Sequence, residues 1–405
     1  MRNLNKSYAI KIPNGAKDYL FEECMARREI ERNLSALFEQ RGFKEAMLPS
    51  LEYYDTFLRS GSNVPEEAMY KIIDRDGKIL VLRPDLTTPI ARVFATKLKN
   101  AALPQRLYYV QNVFRAGPML DGKDIEMMQA GVELIGTGGI KSDLEILTLA
   151  VASLRACGMK VFHIEIGHSG LFLGLLGRLG CEKDTAEEIR RCTEQKNYAA
   201  LSDLIGPFSD RPAAAALKKL IELFGGAEVL TEARKIAEGE EATACIDYLD
   251  ELHAELEKAG LAGFVRFDMG LVNKINYYTG IVFNGYVEGI GEPVLTGGRY
   301  DGLTASFGVE SPATGFAINI NAISRIIPVK PLASPDTIIH YEKGQIGSAL
   351  KLIETYAPGS CELSPYEDLG KTAQLAAARG ARQVLFIDSE GNIRRIDHRD
   401  TENGL

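Results

Sequence analysis

Met128-Gln129-Ala130-Gly131-Val132-Glu133-Leu134 alternates without a break: Met128, Ala130, Val132 and Leu134 are apolar, and Gln129, Gly131 and Glu133 between them are polar or small. A period of two marks a β-strand with one face on a core. The other face carries two acceptor side chains with a glycine between them, a spacing that leaves room for a ligand. Upstream, Arg106 to Phe114 reads as a second strand, and the Gly/Pro/Asp-rich stretch Ala116 to Lys123 as the loop joining the two. Downstream, Lys141 to Ala156 has helical periodicity.

Towards the N-terminus, Asp18 to Arg41 repeats apolar residues at helical spacing and closes at Gly42. Ala46 to Leu48 reads as a strand running into Pro49. Met69 to Ile73 and Ile79 to Leu82 flank Asp76-Gly77, which predicts a hairpin. Pro89 to Leu98 predicts a helix with proline in its first turn. The first 160 residues therefore predict an α+β fold, an antiparallel sheet with flanking helices. From about 171 to 260 the chain turns rich in Ala, Glu, Lys and Leu, with helical runs at Asp184 to Gln195 and Cys245 to Ala259, as expected of a helical insertion. Strand patterns resume at Phe264 to Met269, Ile281 to Tyr286 and Ala313 to Ile320, with Gly297-Gly298 read as a turn. These segments predict a core over 1–327 with the insertion inside it, a proline-stiffened linker over 328–335, and a small α/β domain over 336–405.

Composition narrows the function. The chain has 405 residues, 45% hydrophobic and 25% charged, enough to bury a large core. A net charge of -8 gives no basic stripe, so nucleic acid is not the default partner. The last unit repeats the point, with 8 Lys/Arg against 11 Asp/Glu from Pro335 onward. Six cysteines with no CxxC pair argue against a zinc site or a disulfide framework and predict reduced thiols in the cytoplasm. The lack of any long uncharged apolar run predicts no membrane span. His163, Glu165 and His168 invite a metal reading, but in a strand His163 and His168 fall on opposite faces, so no metal and no cofactor is expected.

Polar residues gather in a few short segments. In Arg83-Pro84-Asp85-Leu86-Thr87, a continuing strand would place Asp85 and Thr87 on one face, a carboxylate beside a hydroxyl that suits an ammonium group. Gln129 and Glu133 form a second such pair. Further along stand Val113-Phe114-Arg115, Asn276-Tyr277-Tyr278-Thr279-Gly280 and Thr296-Gly297-Gly298-Arg299-Tyr300-Asp301-Gly302.

Taken in order, and with Gly42-Phe43-Lys44-Glu45-Ala46-Met47-Leu48-Pro49, these segments resemble histidyl-tRNA synthetase over roughly residues 8 to 325. The resemblance implies a class II aminoacyl-tRNA synthetase-like core, normally dimeric. In it Asp85, Thr87, Arg115, Gln129, Glu133, Tyr277 and Tyr278 match positions around bound histidine, with Glu133 and Tyr278 meeting the imidazole. The chemistry agrees, because imidazole offers an N–H donor and a second nitrogen, which a carboxylate and a phenol can read.

The chain also departs from that family. Asn273-Lys274-Ile275-Asn276 stands where the family has arginine followed by Gly-Leu-Asp, and Gly117 where a glutamate follows Arg115. The last class II motif normally reads Gly-Phe-Ala-x-Gly-x-Glu-Arg. Here Gly315-Phe316-Ala317-Ile318-Asn319-Ile320-Asn321-Ala322 lacks its glutamate and arginine. Adenylyl transfer depends on positioned cations, and losing one arginine can cost on the order of 10³-fold in rate. No catalytic residue is therefore assigned. A histidine pocket without ligation machinery resembles the regulatory subunits of ATP phosphoribosyltransferase. That resemblance implies a short-form catalytic subunit as partner, L-histidine as ligand, self-association as a dimer or larger, and feedback control of the first step of histidine biosynthesis. The alternative is an active histidyl-tRNA synthetase or another amino-acid-activating enzyme. The last unit resembles a shortened anticodon-binding domain.

Overall fold

The computed structural model describes residues 10–60, 64–117, 124–272, 278–328, 331 and 334–396. Its chain divides into two compact units, Met1–Pro328 and Val329–Leu405. The larger unit is built on a nine-stranded sheet. Its strands lie in the order Lys44–Glu45, Gln105–Phe114, Glu126–Ile135, Ala313–Asn319, Leu295–Arg299, Ile281–Val287, Phe162–His168, Val265–Asp268 and Phe224–Gly225. The five strands from Gln105–Phe114 to Ile281–Val287 pair antiparallel, and so does Phe162–His168 with Ile281–Val287.

One face of this sheet is the core. Ala130, Val132 and Leu134 are fully buried there, packed with Ile30, Leu34 and Phe38 of the Phe21–Gln40 helix and with the Ile140–Ala156 helix. The i, i+4 spacing of Ile30, Leu34 and Phe38 is what turns that helix onto the sheet. Burying one such side chain contributes roughly 1.5–3 kcal/mol.

The alternation in Met128 to Leu134 thus assigns the faces as expected, and both long strands and both long helices fall where the pattern predicts, within a few residues. Four local expectations need correction. Ala46 to Leu48 is not a strand: pairing ends at Glu45, and the following turn is held by Arg83, which donates to the Leu48, Pro49 and Asn112 carbonyls. The helix predicted from Pro89 begins two residues earlier, at Thr87, because the Asp85 carboxylate accepts from Thr88 N at 2.8 Å and satisfies a free amide of the first turn. Asp85 and Thr87 therefore do not lie on a strand. Gly297-Gly298 is no turn but the middle of the Leu295–Arg299 strand, and Ile320 opens a short helix rather than ending a strand.

Between Ser169 and Lys258 the larger unit is mainly helical, with helices at Ser169–Leu179, Lys183–Glu194, Tyr198–Ile205, Pro212–Leu220, Glu228–Ile236 and Glu240–Lys258. A small second sheet, Leu51–Tyr53, Ile79–Leu82 and Lys71–Ile73, contains the Asp76-Gly77 hairpin, where Gly77 takes a φ of 79°. The smaller unit has a four-stranded sheet, in the order Cys361–Leu363, Thr337–Tyr341, Gln383–Ile387, Ile393–Ile396, with helices Ile346–Ile353 and Leu369–Arg379. The Cys361–Leu363 strand was not expected; three residues are too few to show a period.

Candidate functional site

Glu133 points away from the core, yet only 1% of it is exposed. Its environment explains how a carboxylate can sit there. Thr87 Oγ1 donates to Oε1 at 2.7 Å, Tyr109 Oη donates to the same oxygen at 3.4 Å, and Tyr300 Oη donates to Oε2. Three hydroxyl donors from a helix N-terminus, a neighbouring strand and the end of the Leu295–Arg299 strand converge on one carboxyl. Burial outweighs these bonds and raises its pKa to about 7, with Asp85 adding to the rise. Tyr109, wholly enclosed, is pushed well above its ordinary value, chiefly by burial and then by Glu133. Since the folded carboxyl holds its proton more tightly than the unfolded one, its contribution favours folding below about pH 4.5 and is lost as pH rises through about 7.

The floor of the site is glycine because side chains cross it. A Cβ on Gly131 would meet the Tyr109 hydroxyl and lie 2.6 Å from the Phe316 carbonyl oxygen; one on Gly298 would lie 2.7 Å from the Tyr278 ring. A Cβ on Gly315, paired with Glu133 in the ladder, would run into Glu133 Oε2 and the Val132 carbonyl. The Tyr278 ring therefore lies directly over the sheet, in the same apolar cluster as Tyr109 and Tyr300.

Of the seven residues named from sequence, Thr87 and Glu133 are hydrogen-bonded to each other, and Asp85 and Tyr278 act on Tyr109 beside them. Gln129 is half-buried on the same face, opposite Gln111 and Asn319. Arg115 is half-buried, and its Nε donates to the Pro84 carbonyl at 2.8 Å, which ties it to the loop carrying Asp85. Tyr277 lies outside the described residues, as do Asn273, Lys274 and most of the loop after Gly117. Tyr109 and Tyr300 were missed. Tyr109 was legible as the register partner of Gly131, but Tyr300 was hidden by the reading of Gly297-Gly298 as a turn.

Around Tyr300 the backbone is held by a buried ion pair. Arg299 Nη2 lies 2.7 Å from Asp143 Oδ1 and its Nη1 3.1 Å from Asp301, while Tyr248 of the Glu240–Lys258 helix donates to Asp143 Oδ2 at 2.6 Å. Asp301 N donates to Thr279 Oγ1, and Thr279 N to the Arg299 carbonyl. The strand end that presents Tyr300 and the segment that presents Tyr278 are therefore one hydrogen-bonded unit.

The degenerate motif is built into the frame instead of facing a ligand. Asn319 caps the Ile320–Ser324 helix, accepting from Ala322 N. Asn321, 2% exposed, accepts from Arg27 Nη1 at 2.8 Å and from Met128 N at 3.0 Å, and donates to Asp124 and to the Glu126 carbonyl. Its side-chain amide is fully used. Ala322 is 1% exposed and apolar, with no cation to offer a phosphate. The other tempting histidines are structural: His168 Nδ1 accepts from Gly170 N, burial lowers its pKa to about 4, and His163 pairs with Glu165 at 3.2 Å. Among the described residues no group of His, Cys, Asp and Glu is arranged to hold a metal.

The chain matches the family model of histidyl-tRNA synthetase over residues 15–323. It is 37% identical to a protein of Clostridium botulinum named ATP phosphoribosyltransferase regulatory subunit, over 91% of this chain and 88% of that one. A Bacillus cereus protein of the same name is also 37% identical, over 95% and 93%. Among solved structures, one from Bacillus halodurans described as an ATP phosphoribosyltransferase regulatory subunit/histidyl-tRNA synthetase superposes with a TM-score of 0.83 at 31% identity, covering 95% of this chain and all of that one.

Proposed function

From the premise that this chain belongs to the family of ATP phosphoribosyltransferase regulatory subunits, built on the histidyl-tRNA synthetase fold, we propose that it binds a short-form catalytic subunit, is required for that subunit's activity, and conveys inhibition by histidine. It works in histidine biosynthesis as a subunit without chemistry of its own. One contrast carries this reading: the Glu133 carboxyl keeps a full set of hydroxyl donors, while Asn321 and Ala322 are absorbed into the protein frame. Ligand recognition is retained where nucleotide handling is not.

In this reading the imidazole N–H of histidine donates to Glu133 and its other nitrogen meets Tyr278. The ammonium faces Asp85, Thr87 and Gln129, and Arg115 with Tyr277 completes the pocket. Control follows by linkage, histidine binding the inhibited assembly more tightly than the active one, with a coupling of roughly 1–3 kcal/mol. The smaller unit serves as a shortened anticodon-binding-like domain whose acidic balance suits protein rather than RNA. The proposed site of action is the cytoplasm; no helix among the described residues is long and apolar enough to cross a membrane.

Synthetase chemistry is the competing reading. Histidine-dependent ATP–pyrophosphate exchange by the purified chain should stay at background; robust exchange would favour the synthetase.

An apolar sheet face supports self-association. In the small sheet, Leu51, Tyr53 and Ile72 are 43%, 51% and 42% exposed on one face, with Leu80 and Leu82 between them. A contiguous patch of this kind marks an interface. Sedimentation should give at least twice the 44.4 kDa chain mass; a single 44.4 kDa species at micromolar concentration would rule the dimer out.

A further inference from the structure

Behind the sheet, where the Phe21–Gln40 helix packs on the Gln105–Phe114 and Glu126–Ile135 strands, lies a cavity of about 230 Å³ lined by Lys17, Arg27, Arg28, Asn112, Asp124 and Glu126. Glu126 and Met128 share the face of Ala130 and Val132, opposite to that of Glu133, so the sheet itself separates this cavity from the site described above.

Arg27 is its buried cation, 8% exposed. The guanidinium is stacked 3.9 Å from the Tyr19 ring centroid and aimed by one hydrogen bond, Nη1 to Asn321 Oδ1. Among the described residues no Asp or Glu forms an ion pair with it; the nearby acids are engaged elsewhere, Glu23 with Lys17, Glu31 with Arg28 and Asp124 with Arg325. A guanidinium has five N–H donors, and the charge of this one is felt by Glu23 at longer range than an ion pair, so donors remain available to a ligand. Lys17 and Arg28 extend this wall; the Lys17–Glu23 pair is exposed, so an anion can disrupt it at little cost, whereas Arg28 pairs with Glu31, 12% exposed, whose carboxylate also lines the cavity. The lining also carries acids, Asp124, bridged to Arg27 through Asn321, and Glu126, to which Asn112 Nδ2 donates at 2.5 Å, while Asn112 Oδ1 is sealed from solvent without a partner.

We propose that this cavity is a second ligand site, for a free α-amino acid whose carboxylate meets Arg27 and whose ammonium meets Asp124 and Glu126. The planar fork of arginine fits a carboxylate bidentately. A phosphate dianion would be repelled by the acids in the lining, whereas a zwitterion satisfies both signs of charge. The volume is below the roughly 300–1,000 Å³ of pockets for drug-sized ligands, which suits a molecule of amino-acid size.

The test is calorimetric titration of the full chain with L-histidine, L-glutamine and L-glutamate, with acetate and inorganic phosphate as controls. Wild type is compared with Glu133→Gln, Arg27→Met and a Lys17→Ala/Arg28→Ala double variant. Expected is amino-acid binding that survives Glu133→Gln, falls at least tenfold in Arg27→Met, and falls a few-fold in the double variant, whose side chains are mostly exposed and whose melting temperature should not change. If Arg27→Met does not fold, the double variant decides alone. Loss of all amino-acid binding in Glu133→Gln, or acetate or phosphate binding as tightly as the amino acid, would overturn the proposal. The first of those results leaves the histidine pocket at Glu133 standing. Histidine binding lost in Arg27→Met and untouched in Glu133→Gln would instead support this site and remove the one at Glu133.

Discussion

Replacing Glu133 with alanine should lower the affinity for histidine by about 100- to 1,000-fold. The carboxyl is buried, is the acceptor on which Thr87, Tyr109 and Tyr300 converge, and in the proposed pose is the group that reads the imidazole. Hydrogen bonds to charged groups contribute about 1.5–3 kcal/mol, and the hydroxyls left unpaired by truncation add to the loss. Calorimetry on the purified variant checks this, and affinity within threefold of wild type would place the imidazole elsewhere. The same carboxyl gives a pH signature. Its pKa, raised from 4.5 to about 7, means that deprotonation works against the folded state, by on the order of 3 kcal/mol at alkaline pH. Glu133→Gln removes that titration. Its stability relative to wild type should therefore rise between pH 5 and pH 8 in denaturant melts, and a pH-independent difference would mean that the buried carboxyl is not raised.

Gly315→Ala should be as damaging by a different route. Its Cβ would overlap both Glu133 Oε2 and the Val132 carbonyl, and the carbonyl belongs to a paired strand that cannot yield without breaking the ladder. Overpacking of this kind costs about 1–3 kcal/mol, and the displaced carboxylate should lose histidine as well. Gly174→Ala is the control. That glycine lies within the Ser169–Leu179 helix with nothing within 4 Å of a built Cβ, so alanine there should leave stability unchanged or raise it. Thermal melts and histidine titration of the two variants separate the outcomes; a Gly315→Ala protein equal to wild type in both would show that the floor has more room than described.

How far the sequence could be read depended on the length of each pattern. Ten-residue strands such as Glu126–Ile135 show their period openly, and their faces follow. Asp85 and Thr87 were assigned to the right neighbourhood by the wrong geometry: the segment after Arg83 is too short to show a period, and the deciding signal was a cap, Asp85 ahead of Thr88, not an alternation. Gly297-Gly298 reads as a turn in sequence because glycine usually signals one. Here glycine is required by the side chains of Phe283 and Tyr278 that cross the strand, and such a contact leaves no local trace in sequence. Tyr300 was lost with that reading. The replacements at Asn319, Asn321 and Ala322 were legible as losses. Asn319 instead caps a helix three residues on, and Asn321 ties Arg27 to Asp124, partners some 200 to 300 positions away in the chain.

The proposed role of this chain is control of a separate enzyme through bound histidine. Its most direct test is reconstitution with a short-form ATP phosphoribosyltransferase catalytic subunit, following the rate with and without histidine. Expected are a stable complex, activity that depends on this chain, and inhibition by histidine that Glu133→Ala relieves. Neither a complex nor any change in rate, with folded protein on both sides, would contradict it.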